Sequence, residues 1–131
     1  MRKLHAFTLT ELLVVLIMIG ILVLLAVPNL MPLISRARSV EAKEQLGYMH
    51  LCQRTHFFTY SRYSDNFEDL GFIQEPLVTQ NGTANYVIEV IEATNNTFKA
   101  RATSITDFDG DGIFNVWEID QDRILKEVTK D

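Results

Sequence analysis

The chain has 131 residues, 47% of them hydrophobic and 22% charged, with a formal net charge of -5 and a single cysteine, Cys52. That length is one domain's worth of sequence, nucleic acid is not an expected partner of so acidic a surface, and one cysteine excludes a disulfide within the chain. No nucleophile and base arrangement, phosphate-binding loop or cysteine cluster stands in the sequence, so an enzyme is not expected.

Residues 1–6 form a short basic leader carrying Arg2 and Lys3, and losing it would take the charge balance from -5 to -7. Ala6-Phe7-Thr8-Leu9-Thr10-Glu11 comes next, then an uncharged apolar run over residues 12–27 that Pro28 closes. One acid, Glu11, stands at the mouth of that run. A carboxylate there is costly in hydrocarbon and calls for a partner or a place at the interface. An amine created by cutting before Phe7 is the obvious partner. A secretory signal has its small-residue cleavage site after the apolar stretch, whereas Ala6 comes before it. A plain membrane anchor explains the hydrophobicity but leaves Glu11 and the preceding Phe-Thr-Leu without a reason.

In these residues the chain resembles the class III signal of type IV prepilins and type II secretion pseudopilins. The resemblance is dense over residues 3–28, about a fifth of the chain, and looser afterwards. It implies that a prepilin peptidase cuts between Ala6 and Phe7 and methylates the new amine. It also implies that Glu11 pairs with a neighbouring subunit's amine during filament assembly, and that Pro28 marks a point where the helix can melt on packing. The family usually has Gly before the cut. Ala6 is small enough that cleavage is still expected.

Residues 7–60 read as one long helix in two chemical halves. Residues 12–27 alone are short of the ~20 needed to span a bilayer, but Phe7, Leu9 and Leu30 extend them, giving a membrane or filament-core segment over 7–30. Over 31–60 the pattern turns amphipathic, with Leu33, Ala37 and Val40 and then Leu46, Met49, Cys52 and Phe57 at helical spacing. Arg36, Arg38 and Lys43 form a basic collar suited to lipid headgroups. Gly20, Pro28 and Pro32 are the weak points, and a kink or local unwinding is expected near residues 23–28. Cys52 reads as a small buried hydrophobe. His50 and His56, six residues apart, do not share a ligand face, so packing or surface roles are expected.

Residues 61–131 read as a globular head. Residues 60–72 suggest a turn and a short helix capped by Asp65 or Asn66 and ended by Gly71, with Tyr60, Tyr63, Phe67 and Phe72 packing between helix and sheet. Residues 85–92 and 97–104 alternate as strands around an Asn95-Asn96 turn, and 114–119 and 124–128 offer a second hairpin. About four antiparallel strands with one face on the helix would bury Tyr86, Ile88, Phe98, Ala100 and Trp117 or their alternating neighbours. The expected fold class is α+β. Roughly 75 residues make a small core, near the size where a metal or assembly adds stability.

Asp107-Phe108-Asp109-Gly110-Asp111-Gly112-Ile113-Phe114-Asn115-Val116-Trp117-Glu118 fits the calcium-loop pattern of alternating acids, glycine at the sixth position and glutamate at the twelfth. Asp107, Asp109, Asp111, Asn115 and Glu118 could offer side-chain oxygens and Ile113 its carbonyl. Both flanks read as strand, so the helix pair of an EF-hand is missing. Two readings stand: a calcium loop between strands, or a solvated turn in which the aspartates bond backbone amides and the glycines supply positive φ. Asn81-Gly82-Thr83 and Asn95-Asn96-Thr97 match the glycosylation triplet and are equally good turn sequences.

Together these features suggest a major-pilin-like filament subunit. Its expected partners are copies of itself, the prepilin peptidase, an inner-membrane assembly platform and, before assembly, the membrane. Its expected place is the inner membrane as precursor and then an extracellular filament. A type II secretion pseudopilin, which would stay periplasmic, shares every N-terminal feature. A membrane-anchored calcium-binding module would need only the anchor and the acidic loop.

Overall fold

The computed structural model describes residues 3–131; Met1 and Arg2, the start of the expected leader, lie outside the described residues. The elements are helix α1 (Leu9–Tyr60), helix α2 (Phe67–Leu70), a 3-10 turn (Val78–Gln80) and strands β1 (Tyr86–Ala93), β2 (Phe98–Ser104), β3 (Val116–Asp120) and β4 (Leu125–Thr129). The chain divides into two compact units, one ending at Leu33 and the other spanning Ile34–Asp131.

In the first unit, α1 begins at Leu9, two residues later than the sequence suggests. Thr8 is the reason: Glu11 N donates to Thr8 Oγ1 at 3.3 Å and Thr8 N donates to Glu11 Oε2 at 2.9 Å. This reciprocal pair is a capping box, which satisfies two amides that a helix start leaves free. The apolar stretch that follows is long enough to cross a membrane, and none of it is buried within the chain. The local unwinding expected near residues 23–28 is not found, since α1 remains helical through Pro28 and Pro32. Each proline removes one amide from the ladder. Asn29 Nδ2 donates to the Leu25 carbonyl at 3.1 Å, adding a donor within the turn that Pro28 disturbs.

In the second unit, the later part of α1 packs on a four-stranded antiparallel sheet of order β1-β2-β3-β4, the expected α+β architecture. Its buried face is Ser39, Ala42, Leu46, Met49, His50, Gln53 and His56, with Cys52 beside them. Leu33, Ala37 and Val40, expected on the packed face, are exposed instead. Polar side chains take places on the packed face because each finds a bond there. Gln53 Nε2 donates to Ser64 O at 2.5 Å and Gln53 Oε1 accepts from Ser64 N at 3.1 Å, while His56 Nδ1 lies 2.9 Å from Arg62 O and His50 Nε2 3.2 Å from Gln121 O. Both histidines are therefore packing residues.

The short helix α2 is capped as expected: Asn66 Oδ1 accepts from Glu68 N, and Gly71 closes it at φ 66°, a conformation that only glycine adopts without cost. On β2 the side chains alternate, and Phe98, Ala100, Ala102 and Ser104 face the core. Tyr86, Ile88 and Ile119 join them, with Trp117 half-buried against the cluster. The outer edge of β1 is covered by a side chain. Gln74 Nε2 donates to Tyr86 O at 3.2 Å and Gln74 Oε1 accepts from Ile88 N at 2.9 Å, so one amide imitates a neighbouring strand. Glu41 ties α1 to the start of β1 by accepting from Asn85 N at 2.7 Å, Asn85 Nδ2 at 3.1 Å and Tyr86 N at 3.3 Å.

Candidate functional site

Two places carry the residues that the sequence singles out. At the first, Ala6 and Phe7 lie outside regular secondary structure before α1, both exposed, and Glu11 sits in the helix's first turn. Its carboxylate is turned back on Thr8 by the capping box, a role the motif reading missed although Thr-x-x-Glu signals it. Pro28 lies inside α1, beyond the apolar run. The helix therefore presents a continuous apolar surface that nothing else in its own unit covers. Exposure on that scale marks a surface meant for lipid or for other chains.

The second place is the loop between β2 and β3. Asp107 folds it: Oδ1 accepts from Gly110 N and Oδ2 from Gly112 N, both at 2.6 Å. Asp109 Oδ1 accepts from Asp111 N at 3.1 Å, and Asp111 Oδ1 accepts from Ile113 N at 2.7 Å. Gly110 and Gly112, at φ 85° and 84°, allow the turns. The amides of Gly112 and Gly110 hold the Asp107 carboxyl below the usual carboxylate range. Asp109 moves the other way. The Asp111 amide favours its charged form, but desolvation and the carboxylates of Asp111, Asp131 and Asp107 outweigh that bond and raise it.

Carboxylate oxygens of Asp107, Asp109, Asp111 and Asp131 lie within 4.8 Å of one another. Asp131 was not in the sequence motif, because β3 and β4 intervene between it and the loop. Its Oδ2 accepts from Phe108 N at 2.8 Å, and Ser35 Oγ donates to its carbonyl at 2.5 Å. Its Oδ1 is buried without a hydrogen-bond partner.

Two residues of the sequence motif stand elsewhere. Asn115 is fully buried and turned into the core, where Oδ1 accepts from Tyr86 Oη at 2.7 Å and Nδ2 donates to Glu127 Oε1 at 2.7 Å and Thr129 O at 3.0 Å. Glu118 lies on β3 opposite Arg101 of β2, and its Oε1 accepts from Arg101 Nη2 at 2.6 Å and Nε at 2.9 Å. Strand geometry is the reason for Glu118: β3 begins at Val116, so the last three of the twelve residues are extended chain and cannot curl back over the loop, while Asn115, just before the strand, is held by its bonds to Tyr86, Glu127 and Thr129. Ile113 stays in the loop with its side chain exposed.

No protein-family model matches the chain. The type IV major pilin protein PilA of Myxococcus xanthus (strain DK1622) is 39% identical to it over 71 residues. That match takes in 54% of this chain and 32% of the relative, so the chain spans about a third of the length of the curated protein it matches. The similarity, together with an N-terminal helix apolar enough to cross a membrane, bears out the prepilin resemblance read from residues 3–28.

Proposed function

We propose that this chain is the structural subunit of an extracellular type IV pilus-like filament, made as a membrane-anchored precursor. One observation carries the reading. The unburied apolar length of α1 opens with a single acid, in a chain similar to a major pilin. The bilayer covers that surface first, and the helices of other copies cover it after assembly. Removal of residues 1–6 by a prepilin peptidase, with methylation of Phe7, supplies the amine that Glu11 meets in a neighbouring copy. A buried charge pair of this kind adds little net stability but suits the setting of register. The relative's description as a major pilin favours the pilus over the secretion pseudopilus.

The capping box makes the test sharper. Glu11→Gln keeps an acceptor for Thr8 N and loses only the charge, whereas Glu11→Val loses the cap as well, about 1 kcal/mol of local stability. Both variants should insert in the membrane and fail to build filaments. Normal filaments from Glu11→Gln would remove the charge-pair argument. The intact mass of subunits in sheared filaments should match a methylated chain beginning at Phe7, and a retained leader would defeat the prepilin reading.

The acidic loop belongs to the same proposal as a calcium site. The residues fit the ion: four carboxylates converge, and the buried Asp131 Oδ1 lacks a donor. Asp107, Asp109, Asp111 and Asp131 would hold it, and Asn115 and Glu118 would not. Calcium prefers such hard oxygens, and here it would offset their repulsion and fasten the β2–β3 loop to the chain beyond β4.

A further inference from the structure

A cavity of about 380 Å³ opens on the second unit where α1 meets the β3–β4 turn, and its walls include His50, Arg54, Phe57, Phe58, Tyr63 and Arg123. Arg54 lies over the Phe58 ring, 5.5 Å from its centroid. Arg123 is held at φ 63°, a left-handed conformation that costs a long side chain roughly 1 kcal/mol. Glycine or asparagine would suit that turn better, so the backbone conformation does not account for an arginine there. Among the described residues the one ion pair is Arg101 with Glu118. Arg54 and Arg123 thus face the cavity without a carboxylate in pairing range, although Asp122 lines the same cavity and the chain is acidic overall.

Aromatic walls beside two unpaired guanidinium groups select a ligand that joins carboxylates to apolar side chains. The β2–β3 loop of the chain itself offers that chemistry, with carboxylates beside exposed apolar side chains. In the β2–β3 loop, Asp109 and Asp111 are exposed and the next side chains, Ile113 and Phe114, are exposed too. The loop cannot reach the cavity of its own chain. It lies against α1 at Arg38, whose guanidinium is over Phe108, and Asp131, which accepts from Phe108 N, in turn accepts from Ser35 of α1. The cavity borders residues 50–58 of the same helix, roughly 25 Å away at 1.5 Å per residue. The second unit is therefore electrically polar from end to end, and only another copy can bring the two ends together.

We propose that the cavity at Arg54, Phe57 and Arg123 receives the acidic loop, residues 107–114, of a second copy of this chain. The contact deepens the filament reading by naming a junction between heads, yet it is measurable apart from filaments. A divalent ion in the loop would leave the four-carboxylate group net negative, so the attraction survives metal binding.

The test uses full-length chains in membranes. Copies bearing Arg123→Cys are co-expressed with copies bearing Asp109→Cys and oxidised mildly; Cys52 is buried and does not compete. A mixed disulfide dimer is expected, and it should drop to background when either new cysteine is omitted. Filaments without the mixed dimer would overturn the proposal and spare the filament reading, while the mixed dimer without filaments would do the reverse. A second measurement reverses charge. Arg54→Glu with Arg123→Glu should lower self-association by roughly tenfold or more, because like charges then face one another across the contact. Adding Asp109→Arg and Asp111→Arg to the same chain should restore it. Unchanged association in the first variant, or no restoration in the second, would overturn the docking.

Discussion

Asn115 separates a metal ligand from a core residue, and Asn115→Ala decides between them. In the structure this side chain makes three bonds, accepting from Tyr86 and donating to Glu127 and Thr129. Glu127 and Thr129 are half-buried, so water can replace much of what they lose. Tyr86 is fully buried, and burial, followed by the charge of Glu41, pushes its hydroxyl well above the usual tyrosine range. Stranding that hydroxyl costs about 1–3 kcal/mol, and each lost bond about 0.5–1.5 kcal/mol more. Allowing for water at the two outer sites, the expected loss is about 3 kcal/mol. For a unit of this size that lowers the melting temperature by roughly 10–20 °C. Trp117 is the only tryptophan and packs against the same core, so its fluorescence in detergent-solubilised chain reports the transition. The loss should be equal with calcium and with chelator. In a double-mutant cycle, Tyr86→Phe should recover part of the cost by removing the stranded group. A change below about 0.5 kcal/mol, within the scatter of ordinary surface substitutions, or a loss seen only with calcium, would refute the reasoning and return Asn115 to the loop.

Asp109→Ala should behave in the opposite way, leaving the calcium-free melt near the parent's and abolishing the rise that calcium at about 100 times its Kd gives, about 2.7 kcal/mol. The same rise should shrink as pH falls from neutral toward the aspartate range. Asp109 takes its proton before Asp107 because its folded value is raised and that of Asp107 is lowered, and its protonation relieves repulsion in the empty loop while weakening the site for the ion. Asp107 adds the reverse term: its depressed value contributes stability above the unfolded pKa of ~3.9, lost only as pH falls through the lower folded value. Melting curves with calcium and with chelator at several pH values check both signs, and a calcium response that grows on acidification would contradict them. Gly82→Ala should destabilise by about 1–3 kcal/mol, since a methyl group there overlaps the Pro76 carbonyl and must push the loop apart. Denaturant unfolding with Trp117 as probe measures it, and a neutral result would mean that the loop relaxes freely.

Local signals in the sequence reached most of the fold. Asn66 and Gly71 mark the ends of α2, the alternation in residues 98–104 marks β2, and Asp120 to Arg123 mark the last turn, because each depends on neighbours a few residues away. The packed face of α1 was harder to read. Hydrophobicity nominated Leu33 and Val40, yet the helix turns Ser39, His50, Gln53 and His56 inward. Ser39 bonds the Arg36 carbonyl within α1, but the fitness of His50, Gln53 and His56 for the interior comes from carbonyls and amides at Gln121, Ser64 and Arg62, which no window along the helix contains. The acidic loop divides in the same manner. Asp107, Asp109 and Asp111 follow a local pattern, whereas Asp131 joins them through strand pairing and Asn115 leaves them for a tyrosine 29 positions earlier.

Those distant bonds share a purpose that the small size of the second unit explains. Its apolar cluster holds twelve buried residues, three of them alanines, and a core so limited supplies little energy to spare. Side-chain clamps supplement it at points where apolar packing is thin. Glu41 fixes the start of β1 to α1, Gln74 closes the sheet edge, Gln53 holds the chain just after α1, and Asn115 joins β1 to β4. Each is directional, and a sliding of the sheet along the helix by one residue would break the three bonds that Glu41 of α1 accepts at the start of β1, which apolar contacts alone would not penalise so sharply. In the filament role proposed above, where the apolar helix would pass from bilayer to filament, that is the useful property. The surroundings of residues 9–33 can change entirely while the register within Ile34–Asp131 is held by bonds that involve none of them.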